Sequence, residues 1–220
     1  MNYRKNPQLQ KFVALFLEKN SHINLSAIRD EEWVWMKHIE DSLITTDLLK
    51  DYQIQKAKGK IQNDGLKVLD LWTGWGFPGL PLAIMFPEVH FTLLDATRKK
   101  VDCVREFAES LGLNNVTAQW GRAEELRSSM KNEKWKMKNE EEFLYDLIVT
   151  RATAYIDDLF TWIKPLLKSD GRAWFYKQAS EEEWAEGQKL AQNRGFTLKK
   201  VLTYTLAEQE RWILEIQKNR

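Results

Sequence analysis

The apolar residues at the beginning of the chain recur at helical spacing. Over residues 7–20 they return every three or four positions, which predicts an amphipathic helix with Pro7 near its first turn. A second pattern of this kind covers residues 31–49, where Asp30 is placed to cap the N-terminus. Residues 50–65 are polar and lysine-rich and end in a turn signal. We therefore expect a helical segment followed by a connection to a new unit.

Beyond residue 65 the pattern changes to short apolar runs that alternate with helical stretches. The apolar runs predict strands at 68–71, 89–94, 116–119, 145–150 and 172–176. The other stretches predict helices at 78–86, 97–111, 123–130, 156–167 and 181–194. Strands that alternate with helices form a parallel sheet covered on both faces. The chain is thus expected to have an N-terminal helical extension at 1–50 and an α/β domain at 66–220.

The last part of the chain departs from this alternation. Two strand-like runs, 196–206 and 211–217, are joined by the polar residues 207–210, a link short enough for a hairpin. A hairpin is antiparallel, so the last strand must enter the parallel sheet in the reverse direction. A reversed final strand is typical of the methyltransferase version of the doubly wound fold. The prediction is therefore a Rossmann-like α/β fold with a mostly parallel, seven-stranded sheet.

Composition and charge restrict the location and the partners of the chain. The 33 basic and 32 acidic residues leave a formal net charge of +1, so any contact with nucleic acid must come from a local patch. A single cysteine excludes an internal disulfide and suits a reducing compartment. The first residues are too polar for a signal peptide or a membrane span. These features predict a cytoplasmic protein, without a metal site because the 3 histidines are scattered.

The stretch at 68–81 has the pattern of a ligand-binding turn. A strand ends at Asp70 and a helix begins near Pro78, so the turn between them lies at the carboxyl edge of the sheet, where such folds bind ligands. Gly74 and Gly76 permit a positive φ or a close approach of a ligand to the backbone. The amides of a helix N-terminus favour a carboxylate. Taken alone, the turn indicates either a nucleotide-like ligand or an ordinary strand-to-helix connection.

A carboxylate at the end of the next strand strengthens the ligand interpretation. Asp95 follows the turn by about 20 residues, the spacing at which such folds hold a pair of ribose hydroxyls. NAD and S-adenosylmethionine both satisfy these two features. The reversed C-terminal strand favours S-adenosylmethionine as the cofactor.

Six motifs in a fixed order resemble the ribosomal small-subunit methyltransferase G family, also called glucose-inhibited division protein B. They are NLSAIRD at 24–30, KHIEDSL at 37–43, DLWTGWGFPGLPLA at 70–83, LLDATRKKVDCV at 93–104, GRAEEL at 121–126 and TRA at 150–152. The resemblance implies an S-adenosylmethionine-dependent methyltransferase that modifies N7 of a guanine in the 530 loop of 16S ribosomal RNA. Its expected partner is small-subunit ribosomal RNA or the 30S particle, and a monomer is expected.

The candidate cofactor contacts come from the turn, from the spacing and from the resemblance. The turn and the spacing give Asp70, Gly74, Gly76 and Asp95. The resemblance adds Trp72, Phe77, Ala123, Glu124 and Arg151. For Phe77, a core residue beneath the turn is an equally good interpretation.

The expected reaction does not require a general base. Guanine N7 keeps a lone pair at neutral pH, so orientation in line with the sulfur–methyl bond and exclusion of water supply most of the acceleration. No catalytic residue is therefore assigned. The positioning candidates are His38, Arg122 and Arg151, and either arginine could bind a phosphate or the methionine carboxylate. His38 is equally well explained as a buried structural histidine.

Cations near the predicted pocket provide a candidate RNA-binding surface. Arg98, Lys99, Lys100 and Arg105 lie early in the helix after the second strand and can neutralise phosphates. A solvated helix face is the alternative. Residues 127–142 are polar and predict a mobile surface loop, whose lysines are further candidates for phosphate contacts.

Two tryptophans depart from the family pattern. Trp72 stands where the family has glycine, and Trp75 where it usually has a small residue. An indole there either occupies space for the methionine tail or forces a backbone that glycine adopts more easily. One hypothesis is a degenerate member that binds ribosomal RNA or ribosome intermediates without turnover. The other is a gene in which UGA encodes glycine, since the chain has 10 tryptophans and 10 glycines, where roughly 15 glycines are usual.

Overall fold

The computed structural model describes residues 2–58, 65–126, 144–151 and 155–219. Its principal α-helices are α1 (Pro7–Ile23), α2 (Glu31–Val34), α3 (Asp41–Leu43), α4 (Thr46–Lys58), α5 (Gly79–Met85), α6 (Arg98–Leu111), α7 (Ile156–Ile163) and α8 (Glu181–Arg194). Its strands are β1 (Lys67–Leu71), β2 (His90–Asp95), β3 (Val116–Trp120), β4 (Tyr145–Thr150), β5 (Leu167–Gln178), β6 (Phe196–Leu206) and β7 (Gln209–Lys218). A π-helical turn at Trp35–Glu40 joins α2 to α3.

In the described part of the chain, seven strands form one sheet in the order β3-β2-β1-β4-β5-β7-β6. β7 is antiparallel to both β5 and β6, whereas the pairings among β1 to β5 are parallel. This confirms the predicted fold and its reversed last strand. The hairpin turn has two residues, Ala207 and Glu208, with φ of 48° and 65°. Gln209 and Glu210, predicted as part of the link, belong to β7 because two left-handed residues are enough to close the hairpin.

Both faces of the sheet are covered by helices. β4 is buried along its whole length, as expected for a central strand. On one face the N-terminal helices pack with α5 and α6, where the ring of Phe12 lies 5.4 Å from those of Phe77 and Phe107. On the other face lie α7 and α8. The N-terminal helices therefore share a hydrophobic core with the sheet and with the turn that follows β1.

The helix predicted at 31–49 is interrupted. Asp30 caps α2 as expected, because its Oδ1 accepts the amide of Trp33 at 3.1 Å. The π-helical turn, α3 and the beginning of α4 then divide the predicted helix. The lysine-rich segment at 50–65 is helical in its first part, because the buried side chain of Tyr52 anchors α4 to the core.

Two boundaries later in the chain also differ from the prediction. The helix predicted at 156–167 ends at Ile163, because Pro165 has no amide hydrogen and cannot donate a helical hydrogen bond. β5 begins at Leu167, five residues before the predicted start, and its pairing with β4 has a register irregularity near this end. Such an irregular start carries no alternating pattern that the sequence could reveal.

Some sequence predictions fall outside the described residues. They are the end of the turn before β1, the polar loop at 127–142, the second half of the helix at 123–130, and Ala152. Within the described residues, none of the helices is both long and apolar enough to cross a bilayer.

Candidate active site

Asp70 connects both ends of the turn that follows β1. The side chain is fully buried, and its Oδ2 accepts the hydroxyl of Thr73 at 2.6 Å and the amide of Gly79 at 2.8 Å. Burial raises the pKa of the Asp70 carboxyl to about 7, and the two hydrogen bonds oppose this increase. Among the described residues, Oδ1 of Asp70 has no hydrogen-bond partner. The carboxylate of Asp70 therefore has one buried oxygen whose hydrogen-bonding capacity is not used by the described residues.

Glycine is required at two positions of this turn. Gly76 has a φ of +100°, and a Cβ there would lie 2.4 Å from Cδ1 of Leu80. A Cβ at Gly79 would lie 2.7 Å from Oδ2 of Asp70, the atom that accepts the amide of Gly79. At Gly74, where φ is +59°, a Cβ would meet no described atom within 4 Å. The backbone at Gly74 can therefore be approached closely by a ligand.

Asp95 lies directly against the turn. Its Oδ2 accepts the amide of Gly74 at 3.0 Å, and its Oδ1 accepts the amide of Thr97 at 2.8 Å. The ammonium of Lys100 lies 3.9 Å from Oδ2. Because β1 and β2 are parallel neighbours, Asp70 and Asp95 both lie near the same edge of the sheet. The carboxylate of Asp95 thus fixes the turn, and the binding of ribose hydroxyls by Asp95 stays a prediction.

Trp72 occupies a left-handed backbone position. Its φ is 59°, a conformation that costs about 1–2 kcal/mol for a residue with a Cβ. Its half-buried indole packs edge-on against Trp162, with the ring centroids 4.5 Å apart. Trp75 is half-buried as well and packs against the cluster that contains the N-terminal helices. Position 72 therefore has the backbone conformation that glycine adopts most easily.

His38, Phe77 and Arg151 are stacked on one another at the same edge. The rings of His38 and Phe77 are 4.7 Å apart and nearly parallel, and the guanidinium carbon of Arg151 lies 5.4 Å from the centre of the Phe77 ring. Phe77 also contacts Phe12 and Phe16, so it has the surroundings of a core residue. Burial, and next the charge of Arg151, lower the pKa of His38 to about 4. The imidazole is therefore neutral at neutral pH.

Asp41 joins elements that are far apart in the sequence. It is 2% exposed, and its Oδ2 accepts Nη1 of Arg151 at 2.9 Å while its Oδ1 accepts the hydroxyl of Tyr204 at 2.7 Å. Nε of Arg211 lies 3.7 Å from Oδ1. Arg151 also donates to the carbonyl of Lys37, in the π-helical turn, at 3.1 Å. We call Asp41, Arg151, Tyr204 and Arg211 the ion cluster.

Two cavities open beside this cluster. One has a volume of about 370 Å³ and is lined by Lys37 and His38 together with Arg151 and Arg211. The other has a volume of about 460 Å³ and is lined by the same two arginines and by Gln178. We call the two cavities together the basic cleft. Its position, beside the stack of His38 and Phe77, suits a polyanion that must reach the edge of the sheet.

Sequence reasoning did not find Arg211 or Tyr204. A signal for Arg211 existed, because β7 runs opposite to the other strands and its first residues therefore lie at the carboxyl edge of the sheet. In the structure Arg211 is in register with Gln178, at the end of β5. A charged residue at the beginning of a reversed last strand is thus a candidate for this edge.

The remaining cofactor candidates follow β3. Ala123 is 2% exposed and belongs to the hydrophobic cluster on the side of α7 and α8. Arg122 and Glu124 are exposed. The amide of Gly121 donates to the carbonyl of Asp95 at 3.2 Å, which connects this segment to the end of β2. Arg122 therefore lies on the β3 side of the edge, whereas the ion cluster lies on the β4 side.

The four candidate RNA-binding cations lie in the first turns of α6. Arg98, Lys99 and Arg105 are exposed, and Lys100 is half-buried. Arg98 and Arg105 both approach the carboxylate of Asp102, at 4.0 Å and 2.8 Å. One carboxylate thus compensates part of the charge of two arginines, and the surface stays basic.

The sheet and its edge define a class of protein. A reversed seventh strand, a glycine turn after β1 and a carboxylate at the end of β2 are the features of the Rossmann-like fold of S-adenosylmethionine-dependent methyltransferases. The fold is similar to that of the O-methyltransferase TomG from Streptomyces achromogenes in complex with SAM, with a TM-score of 0.62 at 12% identity over 98% of this chain and 91% of that one. It is also similar to that of the O-methyltransferase from Bacillus cereus in complex with SAH, with a TM-score of 0.61 at 16% identity over 94% and 91%.

The chain belongs to the ribosomal RNA small subunit methyltransferase G family. The family model, described as rRNA small subunit methyltransferase G, matches residues 5–213. The ribosomal RNA small subunit methyltransferase G of Deinococcus radiodurans is 38% identical over 216 residues, which cover 97% of this chain and 78% of the relative. That of Microcystis aeruginosa is 34% identical over 218 residues, which cover 96% and 89%. The family indicated by the six motifs is thereby confirmed.

Proposed function

We propose that this protein transfers a methyl group from S-adenosylmethionine to N7 of a guanine in the 530 loop of 16S ribosomal RNA. The observation that carries the proposal is the buried Oδ1 of Asp70, which has no partner in the described part of the chain. It belongs to the same carboxylate that holds the glycine turn at the ligand-binding edge. Membership in a family whose relatives are named for small-subunit ribosomal RNA supports the choice of substrate.

The residues around the turn fit the methionine part of the donor. Oδ1 of Asp70 would accept a hydrogen bond from the ammonium group, since an unpaired buried carboxylate oxygen is stabilised by a cation. The open approach to the backbone at Gly74 leaves room for the aliphatic chain. Arg151 would bind the methionine carboxylate through its planar guanidinium.

The neighbouring strand ends fit the nucleoside part. Each carboxylate oxygen of Asp95 accepts one backbone amide and has a further lone pair, with which it would bind the ribose hydroxyls. Ala123 and Glu124 lie at the same edge and would contact the rest of the nucleoside. The donor would thus extend along the edge from the side of β4 to the side of β3.

S-adenosylmethionine would supply an electrophilic methyl group on a positively charged sulfur. Guanine N7 has its own lone pair, so the protein needs to hold the base in line with the sulfur–methyl bond and to keep water out. His38, with a pKa near 4, is too weak a base to remove a proton at neutral pH. We therefore assign His38 a positioning role, through its stack on Phe77.

The basic cleft is the proposed entrance for the RNA. Arg211 and Lys37 would contact phosphates close to the target base, and the cations of α6 would contact phosphates farther away. Contacts of this kind make the affinity for RNA fall steeply with salt concentration.

Methyl transfer with a labelled donor tests the proposal. Small-subunit ribosomal RNA and 30S particles without the modification are incubated with the protein and methyl-labelled S-adenosylmethionine, and the labelled nucleoside is identified by mass spectrometry. Label on N7 of a guanine in the 530 loop is the expected result. Label on another atom or in another region of the RNA would overturn the proposed specificity.

Calorimetric titration separates this function from the alternatives. Binding of S-adenosylmethionine and not of NAD is expected. Binding of NAD alone would overturn the assignment of the cofactor site. Binding of RNA without binding of the donor would instead identify the degenerate member considered from Trp72 and Trp75, for which the relatives give no support.

A further inference from the structure

Trp120 is an exposed aromatic side chain at the ligand-binding edge. It is the last residue of β3, it is 58% exposed, and it is in register with Asp95 of β2. Its Nε1 donates to the carbonyl of Ala96 at 3.0 Å, which fixes the orientation of the indole. A large aromatic ring that is held rigidly and left open to solvent has the properties of a stacking surface for a planar ligand.

The surroundings of the ring are cationic. The guanidinium carbon of Arg98 lies 5.4 Å from the centre of the Trp120 ring, and the Arg98 side chain is 73% exposed. Lys99 is exposed on the same helical turn. Arg98 lies 4.0 Å from the carboxylate of Asp102, which also pairs with Arg105. The charge around Trp120 therefore favours a polyanion, and an aromatic ring beside cations is the usual means of binding unpaired nucleotides.

We infer that Trp120 stacks on an unpaired base of the RNA substrate, with Arg98 and Lys99 on the adjoining phosphates. The inference rests on the proposed function, since it assumes an RNA substrate. The inferred contact lies between Trp120 and a base of the RNA other than the guanine that is methylated. Recognition of RNA in loops commonly depends on bases that are turned out of a helix and stacked on aromatic side chains.

The nucleoside of the donor is the competing occupant, and the sheet geometry disfavours it. Side chains alternate between the two faces of a strand, so Trp120 lies on the same face as Ala118, which packs against the cluster on the side of α6. Ala123, a candidate contact of the donor, belongs to the cluster on the opposite face. The ring of Trp120 lies against Arg98 of α6. Trp120 also lines a cavity of about 220 Å³ with Gly121, Arg122 and Glu125, so affinity for S-adenosylhomocysteine is the measurement that separates the two occupants.

Two variants at position 120 and one control test the inference. Trp120→Ala removes the ring, and Trp120→Phe keeps an aromatic surface. The control is Ile54→Ala, which removes an exposed apolar side chain on α4. That helix contacts the amino-terminal end of β4 through Lys56 and Asp146, at the other edge of the sheet. Affinities are measured for an RNA stem-loop with an unpaired loop, for a fully paired RNA of equal length, and for S-adenosylhomocysteine.

The expected result is specific for unpaired RNA. Trp120→Ala lowers the affinity for the stem-loop at least about fivefold, the loss of one base–aromatic stack, while Trp120→Phe retains most of it. The affinities for paired RNA and for S-adenosylhomocysteine stay unchanged, and Ile54→Ala changes none of the three.

Other outcomes separate the inference from the proposed function. A loss of S-adenosylhomocysteine affinity in Trp120→Ala, with stem-loop affinity intact, would assign the ring to the donor and overturn the inference. Equal affinities of Trp120→Ala and the unmodified protein for all three ligands would overturn it as well. In both cases methyl transfer by the unmodified protein would still support the proposed function. Failure of the unmodified protein to bind either RNA would refute the function itself.

Discussion

The glycine turn after β1 and the ion cluster lie at the same edge of the sheet but are held in different ways. The turn is fixed by hydrogen bonds among residues close in the sequence, since Asp70 binds the hydroxyl of Thr73 and the amide of Gly79. The ion cluster is fixed by one carboxylate, Asp41, whose partners are 110 and 163 residues away in the chain, at Arg151 and Tyr204. One region therefore depends on backbone shape, and the other on a single buried charge.

This difference predicts which substitutions each region tolerates. The turn should be sensitive to an added Cβ, because Gly76 combines a positive φ with a close neighbour and Gly79 packs against Asp70. The ion cluster should be sensitive to the loss of charge, because two arginines surround one carboxylate. The two kinds of defect can be distinguished by measuring stability and donor affinity in parallel.

The largest expected effect is that of Asp41→Ala on stability. The substitution leaves Arg151 and Arg211 without their carboxylate and removes the acceptor of the Tyr204 hydroxyl. We expect the free energy of unfolding to fall by about 3–5 kcal/mol, as when one partner of a buried ion pair is removed. Urea denaturation measures the change.

Asp47→Ala is the control, because the Asp47 side chain is 93% exposed and its loss should change stability by less than about 0.5 kcal/mol. Similar values for the two variants would mean that the cluster does not depend on Asp41.

The second effect is that of Gly76→Ala, compared with Gly74→Ala. Both glycines have a positive φ, but only at Gly76 does the added Cβ collide with a neighbour, Leu80. Gly76→Ala should lower the free energy of unfolding by about 1–3 kcal/mol more than Gly74→Ala. It should also weaken donor binding more than Gly74→Ala does. Equal losses in the two glycine variants would show that backbone strain alone matters in the turn.

The sequence predicted the residues of the turn better than those of the ion cluster, because the turn is held by contacts that are local in the sequence and the cluster by contacts that are not. Gly74 and Asp95 could be placed because strand ends and glycines leave a local pattern, and Asp95 indeed contacts the amide of Gly74. The contacts of Arg211 and Tyr204 with Asp41 could not be predicted, because Asp41 is brought to them only by the folding of distant elements. A single arginine on a strand has no pattern that indicates such a partner.

The fold was also predictable only where it depends on local or periodic sequence patterns. The mostly parallel sheet followed from the alternation of strands and helices, and the reversed β7 followed from the hairpin. The order of the strands in the sheet was not predicted. The π-helical turn at Trp35–Glu40 did not follow, because the apolar spacing of 31–49 is that of one continuous helix. In the structure its Lys37 carbonyl accepts Arg151, a tertiary contact that local sequence does not encode. The early start of β5 was missed for a similar reason, because its first residues pair irregularly with β4.

A third effect is the pH dependence of donor affinity that Asp70 should cause. Its carboxyl has a pKa of about 7 in the free protein, and the ionised form should bind the ammonium group of the donor. Above pH 7 the carboxylate is already ionised, whereas below pH 7 it must first lose a proton, so affinity falls as the pH decreases. We expect a decrease of about tenfold between pH 8 and pH 6, measured by calorimetry. Asp70→Asn should bind more weakly at pH 8 and show no such dependence. A flat profile in the unmodified protein would contradict the role of Oδ1.

The smallest expected effect is that of Trp72→Gly on stability. It tests whether the tryptophan at position 72 strains the backbone of the turn. The substitution loses the contact with Trp162 but relieves a left-handed backbone, a gain of about 1–2 kcal/mol that offsets part of the loss. Trp162→Ala breaks the same contact from within α7 without this relief. Trp72→Gly should therefore be less destabilising than Trp162→Ala by about 1–2 kcal/mol in urea denaturation. Equal losses would show that Trp72 is not strained.

The affinity of Trp72→Gly for S-adenosylmethionine tests whether the indole obstructs the donor. If the indole obstructs the donor, Trp72→Gly binds S-adenosylmethionine more tightly than the unmodified protein, and an unchanged affinity would show that the indole is tolerated. A glycine-like φ at position 72 also agrees with the hypothesis that UGA encodes glycine in this gene. The intact mass of the protein from its native source decides that hypothesis, because each glycine in place of a tryptophan lowers the mass by a fixed amount. A mass that matches tryptophan at both 72 and 75 would refute it and leave the strained backbone as a property of the natural chain.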